Sequence, residues 1–210
     1  MGRRAQLALE ILVFFILVPA LIFFHRLPRQ PLLYIVGGLA AALWLLRREP
    51  EADRAAIFRV EGAWPEVRRS LLRCAVFAVP LVAIAFLVEP GRFFSFPRER
   101  PGIWAAVVVL YPFLSAFPQE VIFRAFFFRR YRPLFSDADG MVIASAFFFA
   151  FTHIIFFSPL SFALSFFGGM LFGDRYRKTG MLIVPTVEHS LLGLTIFTAG
   201  LGRHFYHGAA

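Results

Sequence analysis

Glu120, Arg124, His153 and His189 are side chains that move or hold protons, and each is embedded in a run of Phe, Ala, Val, Ile and Leu. Glu120 precedes Arg124 by one helical turn, so the two share a face and pair in the favourable order. His153 follows Phe147-Phe148-Phe149-Ala150-Phe151-Thr152 and precedes Ile154-Ile155-Phe156. Glu188 and His189 interrupt another apolar run just after Pro185. An ionisable group at the centre of a membrane helix costs about 2.5–3.5 kcal/mol on insertion scales, so each is a functional candidate by default. A carboxylate and two imidazoles from three segments fit amide hydrolysis: Glu120 as base toward water, one imidazole holding the water, the other donating to the oxyanion. Glu188 ranks as a supporting residue that orients His189 or faces a wet cavity.

Other chemistries fit less well. Glu120, His153 and His189 form a His2Glu set of the kind that holds catalytic zinc, and they are the ligands if a metal is present. No H-E-x-x-H occurs and within the apolar runs no His or Cys pair stands at helical ligand spacing, so metal-free chemistry is expected. No G-x-S-x-G occurs, and Ser190 beside His189 is an adjacency that a helix does not turn into a dyad. The competing structural readings are a buried Glu120–Arg124 pair that fixes helix register and a lone His153 bonded to a neighbouring carbonyl. Two imidazoles and a carboxylate on three segments favour convergence. A proton-relay transporter is disfavoured because no internal repeat is visible.

The elements that must position these groups are membrane helices. Of 210 residues 59% are hydrophobic and 29 are Phe, with mean hydropathy +0.70, which excludes an ordinary water-soluble globule. About 20 apolar residues cross a bilayer. Seven stretches come close: 6–24, 31–46, 71–88, 103–117 running on past Pro118 to 129, 141–157, 160–172 and 181–197. The fold class is therefore all-α, a polytopic membrane bundle of about seven transmembrane helices, or eight, in one integral membrane domain, 1–210. The net charge of +9 points to orientation rather than nucleic acid, since fifteen of the 22 Lys and Arg fall on one side of this topology and put the N-terminus in the cytoplasm. Arg3 and Arg4 precede a first run too long for a signal-peptide core and without a small-residue cleavage site, so it is expected to be a retained anchor. Residues 51–69 read either as an amphipathic helix on the cytoplasmic leaflet or as a solvated loop. The single cysteine, Cys74, reads as a buried inert thiol. His25, His204 and His207 read as interfacial. Gly169-x-x-x-Gly173 permits close helix approach and reads first as packing.

Gln119-Glu120-Val121-Ile122-Phe123-Arg124, Phe149-Ala150-Phe151-Thr152-His153 and His189 resemble, in order, the three motifs of the CPBP intramembrane proteases, the CAAX prenyl protease 2 and bacteriocin-processing group: E-E-x-x-x-R, F-x-x-x-H and H-x-x-x-N. The resemblance covers about half of the chain, with 103–197 as its protease core. It implies an endopeptidase acting on a membrane-anchored or secreted peptide close to the bilayer, in the plasma (inner) membrane of a bacterium, with no nucleic-acid partner. The expected roles are Glu120 as base, His153 in water activation, His189 in oxyanion stabilisation and Arg124 holding Glu120. Two positions depart from the pattern. The first glutamate is Gln119, and an amide is no base; the place of the Asn, four after His189, is Gly193. Either Glu120 takes over the base role, or the chain is a catalytically inactive binding or assembly protein. Substitution of one neighbour for the other requires a local distortion, because adjacent helix positions point about 100° apart; Pro118 is placed to supply it.

Overall fold

The computed structural model describes residues 2–48 and 59–206, and among these no strand occurs. Eight helices carry the argument: α1 (Arg3–Phe23), α2 (Pro31–Arg48), α3 (Trp64–Val88), a short α4 (Ser95–Glu99), α5 (Pro101–Arg130), α6 (Ala138–Phe156, its last turn 3-10), α7 (Pro159–Thr179) and α8 (Ile183–Ala199). α1, α2, α3, α5 and α6 are long and apolar enough to cross a membrane; α8 is apolar but 17 residues long. α7 spans 21 residues and ends in Asp174, Arg175, Arg177 and Lys178. The fold is thus the helical membrane bundle expected, with five helices among the described residues both long and apolar enough to span.

Helix ends follow local chemistry. Pro31, Pro101 and Pro159 take first helical positions, where a missing N–H costs nothing. The Asp137 side chain caps α6 by accepting from Gly140 N at 2.6 Å, and Ser158 caps α7 by accepting from Ser161 N at 3.3 Å. α7 and α8 stop at Gly180 and Gly200, whose φ of 64° and 112° L side chains avoid. α3 begins seven residues before the expected third span, so Trp64 to Ser70 continue a transmembrane helix instead of forming a separate surface helix. Of the rest of that expectation, 59–63 form irregular chain and a turn, and 51–58 lie outside the described residues, as does His207.

The bundle joins the ends that the charge count assigns to a common side. At one end Arg130 donates from Nε and Nη2 to the two Glu10 oxygens, at 3.0 and 2.7 Å, and Arg177 reaches Asp139 at 3.4 Å. At the other, Phe94 N donates to the Ala199 carbonyl at 3.2 Å, and His204 bridges Ser158 Oγ (2.8 Å) and Glu89 Oε1 (3.2 Å). His204 is therefore a clasp between segments and not merely interfacial. Phenylalanine serves both lipid and core: Phe14 is 45% exposed, whereas neighbouring Phe15 is 4% exposed and packs edge-on against Phe123, Phe127 and Tyr131 with centroids 5.5, 5.7 and 6.0 Å away.

Candidate active site

α5 carries the first motif on a backbone that is not a regular helix. Pro112 and Pro118 lack the N–H that an α-helical turn needs, and the helix widens to π turns over Pro112–Ala116 and Val121–Phe126. Gln119 and Glu120 sit in the short α-helical stretch Phe117–Glu120 between the two. This phase sends the neighbours to different places. Gln119 lines a cavity of about 1360 Å³, and its Nε2 donates to Ser115 Oγ at 2.8 Å. Glu120 is fully buried behind that wall, with Oε1 2.9 Å from His189 Nδ1 and Oε2 3.2 Å from Arg124 Nε.

Arg124 is as buried as Glu120. Its Nη1 donates to Ser145 Oγ at 3.4 Å and its Nη2 to the Gly169 carbonyl at 3.3 Å, while the guanidinium lies 5.2 and 5.8 Å from the Phe149 and Phe172 ring centroids. Ser145 in turn donates to the Phe123 carbonyl at 2.7 Å. The Gly169 carbonyl is reachable because α7 touches α6: a Cβ on Gly169 would come within 2.9 Å of Ala146 Cα. The glycine spacing thus has a consequence at the site beyond packing, since it supplies an acceptor that holds Arg124.

Both imidazoles reach the cavity with the same tautomer. His189 Nδ1 faces a carboxylate and His153 Nδ1 faces the Phe149 carbonyl at 2.8 Å. Each Nδ1 therefore donates, and each Nε2 is left as the basic nitrogen. The His189 ring is fixed between Phe172, stacked at 4.9 Å and 13°, and the edge contacts of Phe149 (5.4 Å) and Tyr111 (6.0 Å). The Glu120, Arg124 and His189 side chains are thus in direct contact, and His153, Gln119 and His189 share the cavity wall. Among the described residues no three His, Cys, Asp or Glu side chains form a group able to hold a metal ion, and both Glu120 oxygens already face Arg124 and His189. The set that the sequence offers to zinc does not fit one as arranged.

Glu188 lies away from this cavity wall. It is fully buried and paired with Arg73 of α3, which also donates to Ser70 Oγ at 3.0 Å; Cys74, buried as expected, lies beside the Glu188 carbonyl. Arg73 thus ties α3 to α8 at the residue that precedes His189. Tyr111 and Ser115 line the cavity as well. Neither carries a charge or a motif, and only their spacing of eight and four residues before Gln119 could have drawn attention to them.

The fold and site together define a helical membrane protein whose buried carboxylate, guanidinium and imidazole meet behind a large, mainly apolar cavity. Residues 101–195, α5 to most of α8, match the family model described as type II CAAX prenyl endopeptidase Rce1-like, and the three motifs lie within that match. That family is one of proteases. No curated protein and no solved structure matches the chain.

Proposed function

We propose that the chain is an intramembrane endopeptidase in which His189, backed by Glu120, is the proton acceptor. The observation that carries this reading is the Glu120–His189 bond at the edge of the cavity that also receives Gln119 and His153. A carboxylate accepting from Nδ1–H fixes the imidazole tautomer and stabilises the imidazolium that forms when Nε2 takes a proton. Glu120 itself is walled off from the cavity, so the base role moves from the carboxylate to the imidazole it orients. Water that donates one proton to His189 Nε2 and the other to His153 Nε2, beside the Gln119 amide, attacks the peptide carbonyl carbon. Its proton passes to His189 Nε2 and then to the departing amine as the carbon–nitrogen bond breaks. Arg124 balances the Glu120 charge in both states.

The cavity wall is apolar apart from a few groups, which fits a membrane-associated peptide. The name of the matched family points to prenylated C-a-a-X peptides as first probes. The whole chain, 1–210, is taken as one integral membrane domain with 103–197 as its protease core, and the charge distribution supports a cytoplasmic N-terminus in a bacterial plasma membrane. The test is cleavage of a prenylated C-a-a-X peptide and of its unprenylated counterpart in proteoliposomes. Glu120→Gln is expected to lower kcat by a factor on the order of 10³ or more; cleavage by this variant at the wild-type rate overturns the assignment.

A second reading, a binding or assembly protein without catalysis, draws on one observation: the motif position that faces the cavity holds an amide, Gln119. It expects peptide binding without cleavage.

A further inference from the structure

Gly193 stands one helical turn after His189 on α8, and both line the cavity. The space its missing side chain leaves is filled from α5. A Cβ on Gly193 would lie 2.6 and 2.7 Å from Tyr111 Cζ and Cε1, with the Tyr111 hydroxyl nearer still. The ring is held edge-on by His189 at 6.0 Å and Phe197 at 5.6 Å, so the hydroxyl is a fixed group and not a swinging one. Tyr111 itself lines the cavity, and its hydroxyl finds no hydrogen-bond partner among the described residues. A phenol held in an apolar cavity beside an oriented imidazole, with its proton uncommitted, has the properties of a donor awaiting a ligand oxygen.

The geometry points to Tyr111 as the group that hydrogen-bonds the carbonyl oxygen of the bound peptide. It supplies, from α5, the donor that a side chain at position 193 would otherwise supply from α8. His189, its Nδ1–H committed to Glu120 and its Nε2 basic, accepts a proton and does not serve as that donor until it is charged. The tyrosine keeps its own proton throughout and stabilises the negative charge that develops on oxygen. This assignment rests on the endopeptidase reading for its catalytic meaning, and on the cavity geometry alone for its binding meaning.

Two measurements on the full chain in proteoliposomes test it. With the prenylated peptide as substrate, Tyr111→Phe is expected to lower kcat about 10²–10³-fold with KM changed less than about threefold, the split expected of a group that acts mainly in the transition state. Gly193→Ala, which pushes the ring aside while keeping the hydroxyl, is expected to reproduce the loss. The double variant Tyr111→Ala/Gly193→Asn, which returns a donor from α8, is expected to exceed Tyr111→Ala in kcat about tenfold. Unfolding midpoints of the variants separate folding effects from these. Cleavage by Tyr111→Phe at the wild-type kcat overturns the assignment. Should the wild type bind the peptide and cleave nothing, the endopeptidase reading fails by itself. The assignment is then decided by isotope-edited infrared spectra of peptides carrying one 13C=O label at successive positions: a downshifted band in the wild type that is absent in Tyr111→Phe upholds it, and identical spectra at every position overturn it.

Discussion

Replacing Gly169 with alanine is a test of how the site is held, and it needs no substrate. The added Cβ would meet Ala146 Cα at 2.9 Å, Ala146 Cβ at 3.1 Å and the Ala146 carbonyl oxygen at 3.3 Å. Two of these are backbone atoms, which cannot swing away, so α6 and α7 must separate by several tenths of an ångström. Overpacking of this kind costs about 1–3 kcal/mol. The separation also withdraws the Gly169 carbonyl from Arg124 Nη2, already at 3.3 Å, and interhelical hydrogen bonds in membranes contribute about 0.6–2 kcal/mol. Against this, alanine is the better helix former by about 0.8–1 kcal/mol. The net loss is therefore about 1–4 kcal/mol. Gly168→Ala is the matched control. Its Cβ would meet only the tip of the Phe172 ring, at 3.3 and 3.4 Å, and a ring tip can move. It keeps most of the propensity gain. Thermal unfolding in detergent micelles, followed by tryptophan fluorescence, should place Gly169→Ala below the wild type and Gly168→Ala at or above it. Equal midpoints for the two variants, or the reverse order, would refute the argument that α7 is drawn against α6 at Gly169.

Arg73→Leu leaves Glu188 buried and unpaired and is expected to destabilise the chain by about 3–5 kcal/mol, whereas Arg73→Leu/Glu188→Leu recovers most of that loss; unfolding midpoints of the single and double variants decide it, and equal losses would show that the pair is not coupled. The Gly140 N–H and then the Ser136 hydroxyl hold the Asp137 carboxyl below its usual range. A carboxylate depressed in the folded state stabilises above its unfolded pKa, about 3.9, and loses that contribution as pH falls through the lower folded value. Asp137→Ala should therefore unfold at a lower temperature than the wild type at pH 7, and the gap should close as pH is lowered below about 3.9; a gap that widens in acid contradicts the capping role.

The helices were legible because length and apolarity are summed over many residues and tolerate error. Pro31, Pro101 and Pro159 mark starts, and Gly180 and Gly200 mark stops, by backbone chemistry that depends on a few neighbouring residues. Which ends meet was legible too, since the charges that group Glu10 with Arg130 and Asp139 with Arg177 are the same that sort the loops. The phase of α5 was not. Two π turns flank the Gln119–Glu120 pair, and each changes which neighbour faces inward; a proline announces a distortion without fixing its sense. Arg73 was hidden for a different reason. A charge near the start of an apolar run carries no mark of its partner, and Glu188 stands 115 residues further along the chain. Tyr111 was hidden in a mainly aliphatic run with no motif, and Gly193 reads as a missing donor until the ring that occupies its space is seen.

The phase of α5 also separates the two functional readings. With Glu120 committed to His189 and Arg124, its neighbour about 100° away faces the cavity, and Gln119→Glu puts a second carboxylate there. Ser115 Oγ, 2.8 Å from the Gln119 amide nitrogen, remains beside the new group. If His189 is the proton acceptor, the wild type already cleaves. The new carboxylate then adds a parallel route for the proton, so kcat changes by about tenfold (~1.4 kcal/mol) or less. Glu120→Gln remains strongly impaired in both backgrounds, because its effect runs through the His189 tautomer. If instead the cavity-facing carboxylate is indispensable, the wild type binds peptide without cutting it, and Gln119→Glu creates proteolysis where there was none. Peptide cleavage in proteoliposomes, measured for the wild type, both single variants and the double variant, separates these. New cleavage in Gln119→Glu over an inert parent would refute His189 as a sufficient base.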